Sequence, residues 1–346
     1  MSDERDARAA RRPRRAPAIV TTAAAAARAY ARDGLFVTGP LLSAAELDEL
    51  RAAAEVPFNE VLRALLIKQA MSAARGEEAS EPVKYAEIMG RDGARFDVRR
   101  GFDAAPLKSF LRKGGHADTL RSLLCAVLGD DAEVVQVGQI VALTEEGWAD
   151  ADVEDACGGH GDQHWHTDGR NALAPGTIDE SPPGALTLFV SLVDTTLENG
   201  ATQFVLGSHR QGVDDEAREA RALTLPLRAG SAVAFDYRLL HRGMANHGSA
   251  DRTLIYAIVG RPVWSEDGCF KGLPQLDSGR STLPSLFGGK ATAAPPSFRL
   301  DGRRDGAEAP KAHAKAELPS PRRQTSSRKR ARTSQQEASS HLAAVI

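Results

Sequence analysis

The chain reads as a mainly β fold with flanking helices, its strands forming an antiparallel sheet closed into a barrel or double-sheet roll. Two observations carry that reading: a helical first third, and a run of short β-rich segments from Glu133 to Trp264 punctuated by Gly, Pro and Asn turn signals. Size adds a third, since 346 residues with 42% hydrophobic content suffice to bury one large core.

The helical part opens with the Ala-rich stretch Thr22 to Arg32, which Asp33-Gly34 ends before Leu35-Phe36-Val37 reads as a short strand. Ser43 starts the next helix. Glu46, three residues on, completes a capping box, and Leu47, Leu50 and Ala54 recur at helical spacing. Further helices are expected over residues 59–74 and 116–128, which makes residues 21–130 a helical preface. A β core over 131–265 follows, led by the β-branched run Val134 to Val141 and continued by strands near 184–193, 202–205, 221–227, 231–235 and 253–259. One domain over 21–286 is expected, between a basic, disordered arm at 1–20 and a disordered basic tail at 287–346.

Charge and cysteine usage narrow the function. With 44 basic and 46 acidic residues, the net of −2 gives no overall signature of nucleic-acid or membrane binding, although both termini are basic and the body between them is acidic. The tail cluster Pro321 to Arg332 has the composition of a nuclear-import or nucleic-acid segment. Cys125, Cys157 and Cys269 are far apart and form no CxxC pair, which excludes a disulfide framework and a thiolate zinc site and favours a reducing compartment. No apolar run reaches the roughly 18 residues of a membrane span or forms a signal-peptide core, so an intracellular protein, cytoplasmic or nuclear, is expected.

The chemistry concentrates in Gln163-His164-Trp165-His166-Thr167-Asp168-Gly169. In an extended segment, period-two alternation sends His166 and Asp168 to one face, where an imidazole and a carboxylate can share an ion. His241, in Leu239-Leu240-His241-Arg242-Gly243, follows a strand and supplies a third ligand. Two histidines and one carboxylate on one side of a metal are the facial triad of non-haem iron oxygenases, which leaves positions open for cosubstrate and oxygen. His-x-Asp alone is weak evidence and also fits an ordinary surface pair. His164 shares the alternation of His166, but only Asp168 makes the mixed donor set, so His164 is read as a pocket residue. Arg252 stands 252 − 241 = 11 positions after the third ligand and offers a planar fork for a carboxylate. Without the triad, it would read as a solvated arginine at a strand start. Alternation also turns Thr187 and Phe189 toward the cavity, with Phe189 equally suited to the core.

With these residues assembled, the sequence resembles the phytanoyl-CoA dioxygenase family of Fe(II)/2-oxoglutarate-dependent oxygenases over roughly Tyr30 to Trp264. The likeness begins at Ala31-Arg32-Asp33-Gly34-Leu35-Phe36-Val37. It is most specific from Leu188 through Asn199-Gly200 to Gly207-Ser208-His209, where Leu206 replaces a usual proline. The resemblance implies a double-stranded β-helix with Fe(II) between two sheets, 2-oxoglutarate and O2 as cosubstrates, and ascorbate as a supporting reductant. It also implies that Arg252 holds the distal carboxylate, that Gln139 contacts cosubstrate or substrate, and that His209 is structural. Gln139 reads equally as a plain strand glutamine. Family members that halogenate replace the carboxylate ligand by a small residue; Asp168 therefore points to hydroxylation of a small organic or acyl substrate, with succinate and CO2 released. Desaturation and ring formation stay open. The loops 144–162 and 171–183 flank the metal motif, and Arg99, Arg100 and Arg170 are the candidates for a local basic pocket. The rival reading is an inactive barrel used as a binding module, its basic tail contacting a nucleic acid or protein.

Overall fold

Thr22 caps the first helix of the computed structural model: its hydroxyl accepts from the Ala25 N–H at 3.3 Å, and α1 (Ala23–Asp33) then runs to Gly34. Gly34 has φ 82°, and a Cβ there would lie 2.5 Å from His209 Nδ1, so both the left-handed cap and the packing require glycine. The capping box is present before α2 (residues 44–55): Glu46 N donates to Ser43 Oγ at 3.3 Å, and Ser43 N donates back to Glu46 Oε2 at 2.8 Å. The structure describes residues 16–55, 65, 85, 88–99, 116–150, 159–169, 172–262, 264 and 298–299. The arm at 1–15, nearly all of the expected 59–74 helix, Arg100, Arg170, Cys157, Cys269 and the tail cluster lie outside them.

Two antiparallel sheets form the body. The larger holds β1 (Leu35–Val37), β2 (Ile88–Arg91), β3 (Arg95–Val98), β4 (Glu133–Ala142), β5 (Ala185–Ser191), β8 (Ala232–Asp236) and β10 (Arg252–Gly260), in the order β1-β8-β5-β10-β4-β3-β2. A short β11 (Phe298–Arg299) adds to β4. The smaller sheet is β7-β6-β9, made of β6 (Thr202–Val205), β7 (Ala222–Leu225) and β9 (His241–Gly243). No strand ladder joins the two among the described residues, so they face each other as a roll, the double-stranded β-helix, and do not close into a hydrogen-bonded barrel.

Alternation divides the faces of the large sheet. Leu186, Leu188, Val190, Ile255, Ala257 and Val259 pack outward beneath α1, α2 and α3 (His116–Leu128). On the other face, Val233 and Phe235 meet Phe204 and Leu239 between the sheets. Burial of this apolar surface on both faces at about 25 cal/mol per Å² is the main driving force for the fold. No helix among the described residues is long and apolar enough to cross a membrane.

Two sequence expectations are corrected. Residues 88–98 are a hairpin of the large sheet and not part of a helical preface, because their alternating apolar residues cover the end of β4. The strand expected from Arg221 begins at Ala222, since Asp214 caps a helix, α4 (Asp215–Arg221), and accepts from Ala217 N at 2.8 Å.

A buried polar knot ties α1 to the end of β8. Tyr30 donates its phenol proton to Asp236, and Arg238 binds the same carboxylate through Nε at 2.9 Å and Nη2 at 2.8 Å. Beside it, His209 is buried with neither ring nitrogen hydrogen-bonded, and burial pushes its imidazole down to about 4. Between about 6.5 and about 4 the unfolded chain takes up a proton that folded His209 refuses, so stability falls as pH drops through that window. Replacing His209 by Leu is expected to make the stability loss over this interval smaller by on the order of 2–3 kcal/mol, measured by urea unfolding at a series of pH values. An unchanged pH dependence would contradict the assignment.

Candidate metal centre

The centre is built on one reciprocal backbone pair. His166 N donates to His241 O at 3.0 Å and His241 N donates to His166 O at 2.9 Å, which sets the two imidazoles side by side with ring centroids 4.5 Å apart. Asp168, two residues further, lies on the same face, and its Oδ1 is 3.5 Å from His241 Nε2. One ligand atom from each of the three residues lies within 4.8 Å of the others.

Neighbouring groups fix the ligand atoms. His166 Nδ1 sits 2.8 Å from the His164 carbonyl and His241 Nδ1 2.9 Å from that of Leu239; each carbonyl accepts the Nδ1 proton and leaves Nε2 with its lone pair. Burial pushes His241 down to about 4, which keeps it neutral and ready to coordinate at ordinary pH. Thr187 donates its hydroxyl proton to Asp168 Oδ2 at 2.5 Å, leaving Oδ1 toward the histidines.

A cavity of about 340 Å³ opens over the triad and reaches Arg252. Arg252 is 2% exposed at the start of β10, and Nη2 donates to Gly200 O at 3.0 Å. Its Nε and Nη1 have no hydrogen-bond partner among the described residues. Burial, reinforced by the charge of Arg95, pushes the guanidinium down to about 9. Arg95 is itself held in place by the carbonyls of Gly93, at 2.6 Å, and Met244. A buried cation with donors to spare suits an anion such as a carboxylate.

The other expected residues fall as follows. Phe189 and Thr187 line the cavity, Phe189 also packing on Phe235 with centroids 4.9 Å apart. His164 stands at the rim, its side chain 95% exposed and its Nδ1 2.8 Å from Asp92. Gln139 is a correction. It is paired with Ile255, whose side chain belongs to the core beneath the helices, so alternation turns Gln139 away from the cavity. Gln136 and Ile140 occupy the inner face of β4 instead.

Of the polar wall lining the cavity, sequence reasoning named only Arg99 and missed Arg91, Asp97, Gln136 and Tyr256. Buried Tyr256 donates to Asp97 Oδ1 at 2.8 Å and accepts from Gln136 Nε2 at 2.8 Å and from Arg99 Nε at 3.1 Å. Burial alone would raise the Asp97 carboxyl; Arg99 and Arg91, each 2.9 Å from Oδ2, hold it below its ordinary range. The available signal was Asp92-Gly93 between alternating apolar residues, a hairpin turn that brings Asp97 over the cavity.

Facing sheets, a two-histidine, one-carboxylate centre with an open side, and a buried arginine define a mononuclear non-haem metal oxygenase class of site. The chain belongs to the phytanoyl-CoA dioxygenase family, whose model matches residues 30–254. Relatives include "Dioxygenase hkm4" of Aspergillus hancockii, 36% identical over 93 residues (25% of this chain, 29% of that one). Another is "Iron/alpha-ketoglutarate-dependent dioxygenase ausU" of Aspergillus calidoustus, 40% identical over 63 residues (18% and 21%). The matches thus span under a third of either relative's length. Among solved structures, the non-heme alpha ketoglutarate dependent epimerase SnoN from nogalamycin biosynthesis is 22% identical with a TM-score of 0.44, over 68% of this chain and 81% of that one.

Because Thr187 holds the outer oxygen of Asp168, Thr187→Val is expected to weaken Fe(II) affinity by about 10- to 100-fold with little change in fold, as read by anaerobic metal titration. Unaltered affinity would show that the hydroxyl does not orient the ligand.

Proposed function

We propose that the chain is an Fe(II)- and 2-oxoglutarate-dependent dioxygenase that hydroxylates a small organic or acyl substrate. The observation that carries the proposal is buried Arg252, incompletely hydrogen-bonded among the described residues, lining the same cavity as His166, Asp168 and His241. The donor chemistry fits both groups: a mixed imidazole and carboxylate set suits Fe(II) with open positions, and a buried guanidinium suits the distal carboxylate of a diacid. When bound, iron and 2-oxoglutarate supply an oxidant that cleaves a substrate C–H bond, with O2 consumed and succinate and CO2 released.

The chain's residues divide this work. His166, Asp168 and His241 hold one side of the metal, and Asp168 fills the place that a halide would need. Arg252 binds and orients the cosubstrate's far end, which regains the charge pairing its burial removed. Leu254, Phe189 and Ile258 line the cavity with apolar surface and exclude water. Tyr256, Gln136 and Arg91, bound around Asp97, present the polar groups for the substrate.

The test is anaerobic addition of Fe(II) and 2-oxoglutarate to the full chain. A weak visible charge-transfer band is expected, with substrate-linked succinate formation when air and a library of small carboxylic and acyl compounds follow. In Arg252→Gln the 2-oxoglutarate dissociation constant should rise at least tenfold while Fe(II) affinity holds. In His166→Ala both band and turnover should vanish. Turnover surviving in His166→Ala, or cosubstrate affinity unmoved in Arg252→Gln, would overturn the reading.

A further inference from the structure

A second group of metal-type donors lies outside the cavity. One ligand atom from each of Glu145, His160 and His247 lies within 4.8 Å of the others. The imidazoles of His160 and His247 meet edge to face with centroids 5.4 Å apart.

The segments 160–166 and 241–247 are held together at His166 and His241 and again where Gln163 N donates to Gly243 O at 2.9 Å, the pairing slipping by one residue between these points. Beyond them the His160 ring reaches the Asn246 carbonyl, which sets it beside His247.

The surroundings prepare these donors. His160 Nε2 sits 3.0 Å from the Asn246 carbonyl, which accepts its proton and leaves Nδ1 with a free lone pair, the same device that orients both triad histidines. Asn246 is 1% exposed, and its amide is tied to the carbonyls of Ala142 and Ala250, each at 3.0 Å. The His247 N–H is fixed on Glu198 O at 2.8 Å. Glu145 follows β4 directly, placed by Thr144, whose N–H donates to Asp251 at 2.9 Å and whose hydroxyl accepts from Gly147 N at 2.9 Å. Ligand atoms around a tetrahedral zinc stand about 3.4 Å apart, a gap that the exposed Glu145 and His247 can close by rotation.

We propose that Glu145, His160 and His247 bind a second divalent transition metal of the zinc type, with water in the fourth position. This ion staples the loop after β4 and the loop between β9 and β10 to the segment leading into His166. It is a structural ion, and the inference stands independently of the proposed activity.

The experiment is competitive titration of zinc into the chelator-stripped full chain, with thermal unfolding followed in parallel. Wild type should bind two equivalents. Glu145→Gln and His247→Ala, both at exposed positions, should each weaken one equivalent at least tenfold and remove part of the zinc-induced rise in Tm. His166→Ala should instead lose the other equivalent and keep this one. Cobalt gives a second readout, since strong visible d–d bands of a tetrahedral ion should appear in His166→Ala and disappear in His247→Ala. Zinc binding retained at full wild-type affinity and stoichiometry in both Glu145→Gln and His247→Ala would overturn the proposal.

Discussion

The reciprocal hydrogen bonds between His166 and His241 are the constraint on which the site depends. They join two segments about 75 residues apart in sequence and fix the side-chain phase of both, so Asp168 falls on the same face two residues later. Once the phase is set, the carbonyls of His164 and Leu239 choose the ring nitrogen that faces the metal position. The space at Gly243 is filled by neighbouring side chains: a Cβ there would lie 2.6 Å from Arg95 Nε and 2.7 Å from Gln163 Oε1, so a larger residue would displace them. The large sheet adds two groups from its inner face, Thr187 on β5 and Arg252 at the head of β10.

Electrostatics divides the cavity into unlike ends. Two imidazoles and one carboxylate form the candidate metal end. The Arg252 end is a buried cation whose only hydrogen bond is to a backbone carbonyl, an arrangement that costs stability until an anion arrives. Such a cost persists where function needs a vacant complement and the rest of the fold supports it. Two buried carboxylates, by contrast, have charged partners: Asp97 has Arg91 and Arg99, and Asp236 has Arg238, with Tyr30 beside it.

The triad and Arg252 were legible because each stands beside a strong local pattern: a two-residue alternation, a strand end and a strand start. Thr187 was legible only as a cavity residue. Its hydrogen bond to Asp168 joins β5 to a loop 19 residues earlier, a contact that periodicity does not encode. Gln139 was misread because β4 is largely buried on both faces, so alternation there shows that faces exist without showing which one lines the cavity. The Asp97 wall was lost when residues 88–98 were read as part of a helical preface; the Asp92-Gly93 turn contradicted that reading, but the short strands beside it are fixed by pairing with each other and with β4, a contact distant in sequence. The meeting of His160 with His247 depends on how the segments beyond His166 and His241 fold against each other, which is tertiary information.

X-ray absorption on the anaerobic, Fe(II)-loaded chain tests the central claim most directly. Two imidazoles and a carboxylate should appear in the iron shell at about 2.0–2.2 Å, and 2-oxoglutarate should displace water oxygens without removing either imidazole. His241→Ala should lose one imidazole or the iron itself. An iron shell without imidazole scattering, or one that His241→Ala leaves unchanged, would contradict the account.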